Sequence, residues 1–215
     1  GVESGNGGFV ETSGKENLLY TGSTDRSAVN GTQGTLLLDP QDITIQPAGT
    51  NDSELDDQII YFGDSAGSDF TISASKIAAE LLNGDVLMEA SRDILFASAT
   101  LDYGAATNSL TLSAGQDISF SVFSRIEDTS NAGGTLNLNL FANGSISLDG
   151  SIKTNGGNFT VGFVDQSTPA NNIIPTSFTN NGTISTAGRT GVSGKTEATD
   201  GGDININSSG SMSAG

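Results

Sequence analysis

One pattern limits the folds open to this chain more than any other. Residues 86–96 read Val-Leu-Met-Glu-Ala-Ser-Arg-Asp-Ile-Leu-Phe, and residues 110–120 read Leu-Thr-Leu-Ser-Ala-Gly-Gln-Asp-Ile-Ser-Phe. Both blocks follow apolar-x-apolar-x-Ala-x-x-Asp-Ile-x-Phe, about 24 residues apart. A repeat of this length with strict alternation marks a stack of short strands rather than a globular domain. Further units follow the same plan. Gly133-Gly134-Thr135-Leu136-Asn137-Leu138 leads to Gly144-Ser145-Ile146-Ser147-Leu148. Gly156-Gly157-Asn158-Phe159-Thr160-Val161 comes next, then Asn181-Gly182-Thr183-Ile184-Ser185, then Gly201-Gly202-Asp203-Ile204-Asn205-Ile206. The step from Gly156 to Gly201 is 45 residues and reads as two periods. Gly, Asn and Asp stand at the corners, where positive φ is needed.

The fold expected is all-β: a parallel β-helix, or β-solenoid, with about 20–25 residues per coil and one short helix in an insert. At about 4.8 Å per coil, roughly nine or ten coils would form a rod on the order of 45 Å long. The inward columns expected are Val86, Met88, Ile94, Phe96, Leu110, Leu112, Ile118, Phe120, Leu136, Leu138, Ile146, Leu148, Phe159, Val161, Ile184, Ile204 and Ile206. An antiparallel sandwich is the competing reading; the in-phase Asp-Ile pairs favour the solenoid.

Composition is consistent with this plan. Gly, Ser, Thr and Asn supply 98 of 215 residues, which alone would suggest disorder. Yet Val, Ile, Leu and Phe number 51, enough for a core, and charged residues are only 15%. The chain has no Cys and no His, so disulfides, thiolate or imidazole metal sites and His-based triads are excluded. A formal net charge of −17 argues against nucleic acid. No apolar run is long enough for a membrane-spanning helix. Neither a basic n-region nor an apolar h-region opens the sequence, and it reads as an interior piece of a longer protein.

Four regions are expected: coils over 1–45, an acidic loop and helical insert over 46–84, regular coils over 85–161, and coils with longer loops over 162–215. Residues 46–70 read as an exposed acidic loop. Residues 73–84 predict a short helix capped by Ser73 or Ser75, with Ile77, Leu81 and Leu82 on one face and Gly84 as its stop. Loops are expected at 162–180, around Pro169 and Pro175, and at 187–200.

Three segments in order carry a family resemblance. Residues 7–14 read Gly-Gly-Phe-Val-Glu-Thr-Ser-Gly, residues 36–45 read Leu-Leu-Leu-Asp-Pro-Gln-Asp-Ile-Thr-Ile, and Ile72-Ser73-Ala74 leads through the helix to Gly84-Asp85-Val86-Leu87-Met88-Glu89-Ala90. Over residues 7–120 this resembles the filamentous-haemagglutinin-like exoproteins of two-partner secretion, in particular the high-molecular-weight adhesin branch. Leu36 stands where family members often carry Trp, and an aliphatic there still suits a core position. The resemblance implies a right-handed β-helix, threaded unfolded through an outer-membrane barrel partner and folding outside a bacterium with an outer membrane. It implies an adhesin, a surface fibre or a carrier of a contact-dependent toxin; the partners it suggests are a host, surface or neighbouring-cell glycan or protein, with self-association into fibres left open. The family's N-terminal secretion domain is expected to lie outside these residues.

Candidate chemistry is sparse. Asp52, Glu54, Asp56 and Asp57, with Asp39 and Asp42, could supply oxygens to Ca²⁺, the one cofactor the sequence suggests. Against this, no Asp-x-Asp-x-Asn-Gly spacing occurs, and an Asx turn at Asp39-Pro40 beside a solvated loop accounts for the same residues. Asp93 and Asp117 recur at one coil position and read as turn residues or as a ladder for a cation or sugar, with Arg92 neutralising it. Tyr61, Phe62 and Tyr103 are the aromatics placed to stack on a glycan. An enzyme is not expected. A polysaccharide-degrading β-helix would need clustered carboxylates or basic residues, and the eight Lys and Arg are scattered. The reading is therefore a structural adhesin segment, with a glycan- or Ca²⁺-binding module on the same fold as its rival.

Overall fold

The computed structural model describes residues 9–12, 35–38, 41–60, 70–165, 167–188 and 201–214. A parallel pair opens the chain: β1 (Phe9–Thr12) runs beside β2 (Thr35–Leu38), with Val10 opposite Leu36. Next come β3 (Ile43–Gln46), β4 (Ile59–Ile60), β5 (Phe70–Ser73) and the helix α1 (Ala74–Leu81). Three-strand turns then repeat: β6 (Val86–Ala90), β7 (Ile94–Phe96), β8 (Thr100–Asp102); β9 (Ser109–Ala114), β10 (Ile118–Phe120), β11 (Arg125–Glu127); β12 (Asn137–Ala142), β13 (Ser145–Leu148), β14 (Ser151–Lys153). The last are β15 (Phe159–Val161), β16 (Ser177–Asn180), β17 (Thr183–Ser185), then β18 (Ile204–Ile206) and β19 (Ser211–Ala214).

Every strand pairing is parallel, and corresponding strands of successive turns form three faces. Six strands make one face (β18-β15-β12-β9-β6-β4), seven the second (β19-β16-β13-β10-β7-β3-β5) and four the third (β17-β14-β11-β8). The molecule is a parallel β-solenoid of about five turns.

Alternation places one side of each strand inside. On the six-stranded face, Val86, Leu110, Leu138 and Phe159 align in register, as do Met88, Leu112, Leu140 and Val161; all eight are buried. On the seven-stranded face, Ile43, Ile94, Ile118 and Ile146 align, and beside them Ile45, Phe96, Phe120 and Leu148. The rings of Phe96 and Phe120 stack with centroids 5.1 Å apart and planes 12° apart, as expected when like residues occupy consecutive rungs. The corners are tight. A Cβ on Gly115 would lie 2.0 Å from the Ser91 carbonyl oxygen of the preceding turn, so no side chain fits there.

The structure refines the sequence reading in several places. The described residues form about five turns where nine or ten were expected for the chain, and part of the difference lies in inserts. Val86 pairs with Leu110, 24 residues on, but Phe159 pairs directly with Ile204, 45 residues on. That step is one turn. Its extra length includes a loop over 162–176, closed by an antiparallel bridge between Phe163 and Ile173, and the segment after β17. Ile204 and Ile206 stand in the expected inner columns, in register with Phe159 and Val161, and Ile184 with Ile152. They lie on the outermost described strands, so Ile204 is half exposed and Ile184 and Ile206 are only partly buried. The third face supplies inward residues that the repeat did not reveal, Leu101, Ile126 and Ile152.

Segment 46–70 is more than an exposed loop. It holds a 3₁₀ turn at Asp52–Leu55 with Leu55 buried, and β4, whose Ile60 is buried and pairs with Met88. Strand β3 lies between β5 and β7 although it precedes β5 in sequence, which gives this face its seventh strand. Its register keeps Ile43 between Phe70 and Ile94, so the inner column runs through unbroken. Helix α1 follows β5 as β8 follows β7, and it packs on β8, the edge strand of the third face. Ser73 is its N-cap, accepting from the Lys76 N–H at 3.1 Å. Ile77 and Leu81 are buried, whereas Leu82 is 60% exposed and does not join that face.

Leu138→Ala, in the middle of a stacked column, should cost about 2–5 kcal/mol in urea unfolding. Ile204→Ala, at a half-exposed position, should cost well under half as much. Equal losses would contradict the column packing.

Candidate functional site

The recurring Asp-Ile pairs build the most developed polar feature of the surface. Asp42, Asp93 and Asp117 each stand one residue before an inward Ile, at the corner leading onto the seven-stranded face. There each carboxylate accepts the backbone N–H of the matching residue one turn on. Asp42 Oδ1 accepts from the Asp93 N–H at 3.2 Å, and Asp93 Oδ1 from the Asp117 N–H at 3.0 Å. Asp117 Oδ1 accepts from both the N–H and the hydroxyl of Ser145, at 2.6 and 2.9 Å. The cause is geometric: at rung spacing the next corner amide lies within reach of a short acceptor, and these amides need a partner. Each Asp therefore acts as the turn residue that starts a strand, and the stacked carboxylates form a ladder by accepting the next corner's amide. Arg92 grips Asp42 with a forked contact through Nε and Nη2, with its Nε 3.7 Å from Asp93. Both partners retain solvent exposure, so this pair contributes about 0–1 kcal/mol.

Beside the ladder runs a column of outward residues in register: Thr71, Thr44, Leu95, Ser119, Ser147, Thr179 and Ser213. Ladder and column enclose a shallow trough of about 460 Å³, lined by Asp42, Thr44, Asp93, Leu95, Asp117 and Ser119 among others. Carboxylates offer acceptors, hydroxyls offer both donors and acceptors, and Leu95, 38% exposed, offers one apolar step. Such a lining suits a ligand that carries hydroxyl groups.

A second ladder at the corner onto the six-stranded face escaped the sequence reading. Asp85 Oδ1 accepts from the Ser109 N–H at 2.8 Å, Asn137 Oδ1 from the Asn158 N–H at 3.0 Å, and Asn158 Oδ1 from the Asp203 N–H at 2.9 Å. Its signal was present as Asp85, Asn137, Asn158 and Asp203 ahead of first inward residues, but Ser109 interrupts the series and the irregular spacing hid it.

The four loop acids expected as Ca²⁺ ligands do not converge on one point. Asp52 accepts from the Ser73 N–H and hydroxyl, both at 2.7 Å, and so buttresses the helix cap. Asp56 binds Lys76 Nζ at 2.6 Å, on the other side of which Glu80 lies at 2.5 Å. Hydrogen bonds to Asp56 and Glu80 raise the Lys76 pKa. Asp57 accepts from the Ile59 N–H at 3.3 Å, and Glu54 is exposed. Among the described residues, no group of three or more acidic side chains is placed to hold a metal ion. Asp39, Tyr61 and Phe62 lie outside the described residues. Tyr103 is not available for stacking: it is buried, and its hydroxyl donates to the Lys153 carbonyl at 3.0 Å.

Two further carboxylates are perturbed. Burial raises Glu89, half-covered on the six-stranded face. Bonds from the Ser167 hydroxyl and the Thr168 and Ser167 amides lower Asp165 within its loop.

With fold and ladders in place, the chain is defined as a parallel β-solenoid with polar corner ladders. Comparison with protein-family models, curated proteins and solved structures finds no match in any of the three.

Asp117→Ala should lose about 0.5–1.5 kcal/mol in denaturant unfolding, because the Ser145 amide loses its partner. Asp117→Asn keeps an acceptor oxygen and should restore most of that loss. If the two variants are equally destabilised, negative charge rather than the acceptor matters at the corner.

Proposed function

We propose that this β-solenoid is a structural segment of an adhesin or fibre on the surface of a bacterium with an outer membrane. The observation that carries the reading is the unbroken parallel stacking of polar-faced turns. Each turn depends mainly on its neighbours, so rigidity extends along the stack without a globular core. Ser and Thr dominate the outward column of the seven-stranded face, a surface that suits attachment and presentation. The motif resemblance of residues 7–120 supports the same reading and adds export through an outer-membrane barrel partner. The segment is proposed to be non-catalytic, serving presentation and assembly.

In cells producing the full-length protein, deletion of residues 85–161 with surface display maintained should reduce attachment to host or neighbouring cells. Undiminished attachment, with antibody labelling showing the shortened protein outside, would sink the proposal.

The trough favours a second reading, a glycan-binding module. Its acidic rim would repel acidic polymers, so a neutral glycan is the ligand class it suits. On a glycan array, binding of neutral sugars that falls about tenfold in Ser119→Ala plus Leu95→Ala would support it. A blank array leaves the scaffold reading alone.

A further inference from the structure

We propose that Asn155 is a site of spontaneous deamidation, selected by the fold from among the Asn-Gly pairs of the described residues. Four such pairs are described: Asn83-Gly84, Asn143-Gly144, Asn155-Gly156 and Asn181-Gly182. Asn followed by Gly is chemically labile because no side chain shields the next backbone nitrogen. In the reaction, the Gly nitrogen loses its proton and attacks the Asn Cγ. The N–Cγ bond forms, the Cγ–Nδ2 bond breaks, and ammonia leaves. Water then opens the five-membered imide on either side, giving aspartate or isoaspartate.

The attacking nitrogen has to be free, and here the four pairs differ. The Gly144 N–H donates to the Gln116 carbonyl of the preceding turn at 2.7 Å. The Gly182 N–H donates to Leu148 at 3.0 Å and to Asn180 Oδ1 at 3.2 Å. The Gly84 N–H donates to Glu80 at 3.1 Å, at the end of α1. At these three sites, releasing the nitrogen means opening a rung or a helix end.

Asn155-Gly156 is built differently. The Gly157 N–H donates to the Thr154 carbonyl at 3.1 Å, and the Thr154 hydroxyl donates to the Gly157 carbonyl at 2.5 Å. These bonds close a four-residue turn with Asn155 and Gly156 at its centre. Both central residues have positive φ, 53° and 102°, the conformation of a primed turn. In such a turn the third residue's N–H points away from the turn's own hydrogen bond. The Gly156 N–H accordingly donates to no acceptor among the described residues. Both residues are partly exposed, so water has access. The product places a new negative charge at the corner leading into β15. In its isoaspartate form it also adds one carbon to the main chain, next to Gly157, where a Cβ would already lie 2.0 Å from the Leu136 carbonyl oxygen.

The test incubates the folded protein at mildly alkaline pH and maps each Asn-Gly peptide by mass spectrometry over time. Asn155 should convert about tenfold faster than Asn83, Asn143 and Asn181, because at those three sites the attacking Gly nitrogen first gives up its own hydrogen bond. In urea the four rates should converge. Asn155→Gln should stay unmodified at that position and leave the circular dichroism spectrum unchanged. Equal conversion of Asn143 or Asn181 in the folded protein overturns the proposal. So does a lead for Asn155 that persists in urea, since local sequence rather than the turn would then set the rate.

Discussion

Everything in this molecule depends on the parallel rung: each strand is hydrogen-bonded to its counterpart one turn away, at about 4.8 Å. That single spacing imposes two demands. Inside, each apolar residue has to pack on the one in register above it, which produces columns such as Ile94, Ile118 and Ile146. Outside, the corners bring main-chain amides into stacks that no strand partner can satisfy. Asp42, Asp93 and Asp117 answer the second demand as directly as the isoleucines answer the first. A corner carboxylate one residue before an inward Ile thus couples the turn to the strand.

The same rung explains how irregular segments are tolerated. Strand β3 is inserted between β5 and β7 out of chain order, yet its register matches both neighbours and the column passes through it. Helix α1 takes the third-face position beside β8, where Ile77 and Leu81 cover the edge strand's inner side. The loop over 162–176 leaves between β15 and β16 without disturbing either pairing. A stack held by nearest neighbours needs matched ends at each rung and sets no limit on what joins them.

The regular turns were legible because their signal is dense. Strands β6 and β9 each alternate over five or six residues, and the Asp-Ile pair repeats in phase. The third face was nearly invisible: β8, β11 and β14 have three residues each and bury one apiece, Leu101, Ile126 and Ile152. A single inward residue has no period. The 45-residue step to Ile204 misled for a related reason, since inserts lengthen a turn by amounts that mimic a second turn. Tyr103 lies just past β8 in a polar stretch and read as a loop aromatic; burial and its bond to Lys153 place it in the interior.

The amino-acid order by itself determined the parallel solenoid, most of its inner columns, the helix with a serine cap at Ser73 or Ser75, and the recurrence of Asp at one corner. These are local matters of alternation, repeat length and capping, carried by a few adjacent residues. Only the tertiary structure decided how many turns there are, that β3 intercalates, that a second Asx ladder exists, and that Asp52 and Asp56 serve Ser73 and Lys76. Those depend on which residues lie one rung apart, and inserts of varying length break the link between distance along the chain and distance across the stack.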